Sequence, residues 1–170
     1  MRYAQTYNKL AEFGRSVLEI EVVDDILPFI AKYAKNTIGA DRCSIFVYDD
    51  EQEQLWTTLA DNVERINMPS DRGLVGFSLA TKKGLIENHP YSNEYFYKDV
   101  DSETGYITKN IIIAPILGSQ GEAIGVLELL NKEEGFDSED AKFMKFFAHY
   151  ISGFLELAKL NEHYDKVHQA

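Results

Sequence analysis

Residues 110–132 read NIIIAPILGSQGEAIGVLELLNK, and this stretch decides the fold. Two apolar runs, Asn110 to Leu117 and Ala123 to Leu130, flank the turn Gly118-Ser119-Gln120-Gly121. Such runs around a glycine-bounded polar turn specify an antiparallel hairpin. Glu128 interrupts the return strand, and period two sets it on the face of Ile124, Val126 and Leu130. A buried carboxylate is costly unless a donor meets it. Glu128 is therefore a candidate binding residue; otherwise it is an edge-facing glutamate that meets solvent or a lysine.

Upstream the same alternation appears over Arg42 to Tyr48, with Cys43, Ile45 and Val47 on one face and Ser44, Phe46 and Tyr48 on the other. Asp49 to Glu53 makes a polar turn, and Gln54 to Leu59 pairs back, with Arg65 to Met68 as a short third strand. Gly73 to Ala80 reads as a short helix capped by Ser70 or Asp71. Leu85 to Asn88 is a strand stopped before Pro90, and residues 91–108 are polar and irregular. Helices are expected over residues 3–20, over Asp24 to Gly39, and from about Ser138 to about Tyr164. This order predicts an α+β arrangement, an antiparallel sheet covered by helices.

The length of 170 residues suits one domain. Lys and Arg number 17 against 28 Asp and Glu, a net charge of -11, so the basic face that a nucleic-acid binder needs is missing. The same balance works against anionic membranes, and no apolar run approaches the roughly 18 residues of a membrane span. A soluble, cytoplasmic protein is expected. Cys43 is the single cysteine, which excludes an intramolecular disulfide. No metal-ligand cluster, nucleophile elbow or Walker loop is present, so the expectation is a non-enzyme without a metal. His89 before Pro90 and His149 on the last helix read as structural or surface residues. His163 and His168 are spaced wrongly for one helix face.

The ordered set Cys43-Ser44-Ile45-Phe46, Gly73-Leu74-Val75-Gly76, Tyr91 to Phe96, Thr104-Gly105-Tyr106, Pro115 and Ile124 to Lys132 resembles a GAF domain over roughly residues 23–160. That implies the PAS-like GAF fold: a central antiparallel sheet flanked by terminal helices and a ligand-loop side. It also implies an N-terminal dimerisation and signalling helix over 1–20, a GAF domain over 21–160, and a helical tail or linker toward an effector over 161–170. The most similar subgroup regulates cyclic-nucleotide phosphodiesterases and some adenylate cyclases. Its signature of Asn-Lys, a later Phe, then Asp-Glu is matched by Asn131, Lys132, Phe136 and Asp140; Ala141 stands where the signature has Glu. The resemblance assigns Lys132 and Asp140 to an ion pair that clamps a loop near the pocket.

The resemblance further implies a ligand site. Glu128 would accept from a purine edge, with Ser44 near the base. Thr104 and Thr108, with Asp101, would contact the base or the ribose phosphate. Leu74 and Val75 would supply backbone N–H groups to a phosphate at a helix start. Asp61 falls on the aspartate of the subgroup's Phe-Asp pair, but Ala60 replaces the aromatic. The implied ligand is cyclic GMP or cyclic AMP, and no cofactor is otherwise expected. One cysteine cannot run the thiol relay of the methionine-sulfoxide-reducing members. The 3–17 seam and the last-helix stripe Phe143, Phe147, Tyr150, Phe154 and Leu157 imply a homodimer that signals to an effector. The alternative is a ligand-free dimerisation module of a larger signalling protein.

Overall fold

The hairpin that anchors the sequence pattern also anchors the sheet. In the computed structural model, which describes residues 4–19, 23–58, 65–96, 98 and 105–168, strands β5 (Ile111–Leu117) and β6 (Ala123–Lys132) pair antiparallel. Strands β1 (Ala40–Asp49), β2 (Gln54–Thr58), β3 (Arg65–Pro69) and β4 (Leu85–Glu87) complete one antiparallel sheet in the order β3-β2-β1-β6-β5-β4. Helices α1 (Ala4–Leu18) and α2 (Val23–Ile38) precede the sheet. Helix α3 (Gly73–Thr81) joins β3 to β4, and α4 (Ser138–His168) follows β6.

Strand alternation divides the core in two. On one side, Ile45, Val47, Ile112, Ala114, Leu127 and Leu129 pack against α1, α2 and α4. Phe143 and Phe147 of α4 are fully buried there, and the ring of Phe13 in α1 packs at a tilt on that of Tyr33 in α2, 4.2 Å between centroids. On the other side, Phe46, Ile111, Ile113 and Val126 meet Leu74, Val75 and Leu79 of α3. These side chains are all at most 9% exposed, so the sheet face beneath α3 is filled by side chains.

Three local details differ from the sequence reading. The register slips between Ile116 and Leu117, which face Gly125 and Ala123. The extra residue, Ile124, is thereby turned into the α1–α2–α4 core, while Val126 and Leu130 stay on the α3 side. Ile124 does not share the face of Glu128. Second, neither Ser70 nor Asp71 caps α3: the N-cap is Arg72, without a side-chain hydrogen bond. Gly76 allows this, because its missing Cβ admits the Ser70 carbonyl and the Asp71 backbone against the first helical turn. Third, α4 runs on to His168, past the expected end near Tyr164.

Helix α4 has a strong start. Asp137 Oδ1 accepts from the N–H groups of Glu139 (3.1 Å) and Asp140 (3.0 Å), and Asp140 Oδ2 accepts in return from the Asp137 N–H (3.0 Å). This is a reciprocal capping box with aspartate in both positions. Helix α1 is tied to α4 by Tyr150, whose hydroxyl donates to the Leu10 carbonyl at 2.6 Å.

Candidate functional site

The β1–β6 pairing places Ser44 directly opposite Glu128, and the β5–β6 pairing places Ile113 on the other side of Glu128. Directly opposed residues project to the same face, so the Ser44 hydroxyl and the Glu128 carboxylate are neighbours on the α3 side of the sheet. Both are half-buried. Leu74 and Val75 are buried, with their side chains committed to the layer between α3 and the sheet. Thr108 is 2% exposed, in the segment leading into β5. Asp61, Asp101 and Thr104 lie outside the described residues.

Beside this face, four element ends are laced together. Lys132 at the end of β6 donates to both oxygens of Asp140 in the first turn of α4, at 2.9 and 3.0 Å. The pair is sealed from water: Lys132 is 8% exposed and Asp140 0%. Asn110 brackets the same backbone, with Nδ2 donating to the Lys132 carbonyl (2.9 Å) and Oδ1 accepting the Lys132 N–H (2.8 Å). Asn88, just past β4, does the same for Phe136: Oδ1 accepts its N–H at 3.3 Å and Nδ2 donates to its carbonyl at 3.4 Å. Ala141, where the phosphodiesterase-type signature has Glu, is half-buried against the main core, and the ion pair forms without that glutamate.

Asn131 does for the loop what Asn110 does for the strand. It adopts a left-handed φ of 60°, which asparagine tolerates better than most residues. Its Oδ1 accepts from the Lys109 and Asn110 N–H groups, and its Nδ2 donates to the Ile107 carbonyl (2.8 Å) and the Tyr106 hydroxyl (2.9 Å). That hydroxyl donates to Asp41 Oδ2 at 2.8 Å, and the Arg42 guanidinium lies 3.7 Å from the Tyr106 ring centroid. Burial and then the Asp41 acceptor push the Tyr106 phenol up, so it stays a donor. The segment 105–110 is thus fixed to the ends of β1 and β6.

Sequence reasoning singled out Asn131, Lys132, Phe136 and Asp140 but assigned no role to Asn88, Asn110, Tyr106 or Asp41. The available signal was composition: asparagine is disfavoured in strands, and it stands at strand ends three times. Burial and then the Glu128 carboxylate push the Cys43 thiol up, so it is held as an uncharged core group rather than a nucleophile. Among the described residues no His, Cys, Asp and Glu side chains gather in a metal-binding group, and no helix is long and apolar enough to cross a membrane.

Among the described residues, an open cleft on this side of the sheet lies elsewhere along α3. This cleft of about 800 Å³ is lined by Gly73, Gly76, Phe77 and Ala80 of α3 and by residues 94–96. Ser44, Leu74, Val75, Thr108 and Glu128 do not line it.

The family model described as GAF domain matches residues 21–156. The chain belongs to the GAF domain family. Its fold agrees with the GAF domain of a phosphoenolpyruvate-protein phosphotransferase from Acinetobacter, with a TM-score of 0.77 at 17% identity, covering 94% of this chain and 98% of that one. This GAF domain is 32% identical over 179 residues to a probable 3',5'-cyclic phosphodiesterase pde-5 of Caenorhabditis elegans, covering 96% of this chain. It is 29% identical over 128 residues to a dual 3',5'-cyclic-AMP and -GMP phosphodiesterase 11A of Takifugu rubripes, covering 65% of this chain. The chain spans only 24% and 14% of the length of those two proteins. It is a regulatory GAF-fold domain.

Proposed function

We propose that this GAF domain is a regulatory dimerisation module of a larger signalling protein, with α4 as the element that meets a second copy. The exposed apolar stripe on the distal half of α4 carries this reading. Leu157, Leu160 and Val167 are 56%, 65% and 57% exposed. Their spacing puts them within a narrow stripe of one helix, and apolar residues so aligned are favourable only when covered. The packed sheet face under α3 agrees with a module that works without a ligand in its centre. Sedimentation of the chain at micromolar concentration tests this. A dimer is expected, converted to a folded monomer by Leu157→Glu with Leu160→Glu; a monomeric wild type rejects the reading.

A second reading, a cyclic-nucleotide sensor, is favoured by the phosphodiesterase relatives and by the Ser44–Glu128 neighbours on the α3 side of the sheet. A carboxylate there would accept from a purine N–H while the hydroxyl orients the base. Calorimetry with cyclic GMP and cyclic AMP separates the two readings. Heat that Glu128→Ala abolishes in a folded domain supports the sensor; no heat with either nucleotide leaves the dimer module alone.

A further inference from the structure

The cleft beside α3 has a composition that neither reading above uses. Among the described residues four aromatic side chains line it: Tyr48 from β1, Phe77 from α3, and Tyr95 and Phe96 from the segment after β4. Phe77 and Tyr95 lie 5.5 Å apart between centroids with their planes tilted by 32°, and both are exposed, at 41% and 56%. Exposed aromatic rings lining a cleft offer π-surface on which a cation can rest. Among the described residues the charged lining is unbalanced toward acid: Asp71, Glu94 and Glu122 stand against Lys82. Glu122 accepts from the Gln120 N–H at 2.9 Å and Asp71 lies 3.7 Å from Arg72 Nε, but a carboxylate has room for further donors.

Two of the chain's own cations lie near aromatic rings around the cleft. The Lys159 ammonium lies 6.0 Å from the Tyr48 centroid, and the Lys98 ammonium 6.0 Å from the centroid of Tyr91, which packs edge-on to Phe96 at 5.3 Å. Ring faces together with carboxylates complement a cation that is weakly hydrated and carried on an apolar body. The volume of about 800 Å³ belongs to small molecules, whose sites span roughly 300–1,000 Å³.

We propose that the cleft between α3 and residues 94–96 is a binding site for a small organic cation, its ammonium group held against Phe77, Tyr95 and Tyr48 and its charge balanced by Glu94. Neither Ser44 nor Glu128 lines the site, so the two readings stand or fall separately.

The test is a titration of the full chain with choline and, in parallel, with its neutral isostere 3,3-dimethylbutan-1-ol, read from the amide shifts of Gly76, Phe77 and Tyr95. Saturable shifts with choline are expected, with the alcohol weaker by about tenfold. Phe77→Ala and Glu94→Gln each change an exposed side chain, and thermal unfolding confirms that both variants fold. Each should weaken choline binding severalfold. The proposal is overturned if choline does not saturate, if the alcohol binds as well, if Phe77→Ala binds as tightly as wild type, or if only a lysine- and arginine-rich peptide saturates the site.

Discussion

The Lys132 ammonium is held by both oxygens of a carboxylate with no solvent exposure, so removing either partner strands the other in a dry interior. Asp140→Asn should destabilise the domain by about 3 kcal/mol, because it leaves the buried ammonium facing a neutral amide. Lys132→Met added to it should recover part of that loss, since the double variant buries no unpaired cation. Urea unfolding measures both; a single variant within about 0.5 kcal/mol of wild type would show that the pair carries no stability. Glu87 offers a pH-dependent case. Asn93 Nδ2 and the His89 N–H donate to its two oxygens at 2.9 and 2.8 Å, and the Asn93 bond followed by the His89 bond holds its carboxyl below the ordinary 4.5. A depressed folded pKa gives stability that is full above 4.5 and fades as pH falls through the lower folded value. Glu87→Gln should therefore lower the melting temperature at neutral pH by an amount that shrinks below pH 4.5; a constant difference would assign the effect to something other than ionisation. At this scale the sequence showed Lys132 and Asp140 only by resemblance. The Asn110 and Asn131 lacing spans more than twenty residues of chain for each bond and leaves no local pattern to read.

Elements were legible where one periodicity ran uninterrupted. The β5–β6 hairpin and helices α2 and α4 follow from alternation and from apolar stripes. What alternation missed is Ile124, because a bulge inverts the facing of every residue before it while the sequence stays smoothly apolar. Helix α3 was legible as a helix but not in its start. Its apolar residues leave no polar face, and its N-terminus is shaped by backbone packing in place of a side-chain cap. Gly76 is the residue that allows this. A Cβ there would lie 2.7 Å from the Ser70 carbonyl oxygen and 2.8 Å from the Asp71 carbonyl carbon, both backbone atoms that cannot swing aside. Gly76→Ala should thus cost about 2 kcal/mol despite alanine's better helix propensity. It should also shift the amide signals of residues 70–80 as the turn moves off α3. An alanine variant as stable as wild type would mean that this turn gives way freely.

For the whole molecule, the order of elements could be read along the chain, but the strand order could not. The central β1–β6 pairing joins residues more than seventy positions apart, and nothing local in either strand names the other. The role of α1 is likewise settled by packing. Tyr3, Tyr7, Leu10, Gly14 and Val17 form a seam in sequence, yet Leu10 and Val17 are 4% and 1% exposed within this one chain. Gly14 sits where a Cβ would lie 2.6 Å from the Tyr150 hydroxyl, and Phe13 joins the ring cluster of Tyr33, Phe147 and Tyr150. Part of a face that in sequence reads as a dimer seam is therefore spent covering α2 and α4. Deleting residues 1–20 uncovers that ring cluster. Burial of Leu10, Phe13 and Val17 is worth at most about 2 kcal/mol each, an upper bound because the unfolded chain is not fully extended. The truncated chain should lose about 3 kcal/mol or more in urea unfolding, and it should aggregate as its aromatic surface is exposed. If it unfolds at the same urea concentration as the full chain, α1 contributes nothing to the core, and its apolar face would have to be stabilised by a second copy.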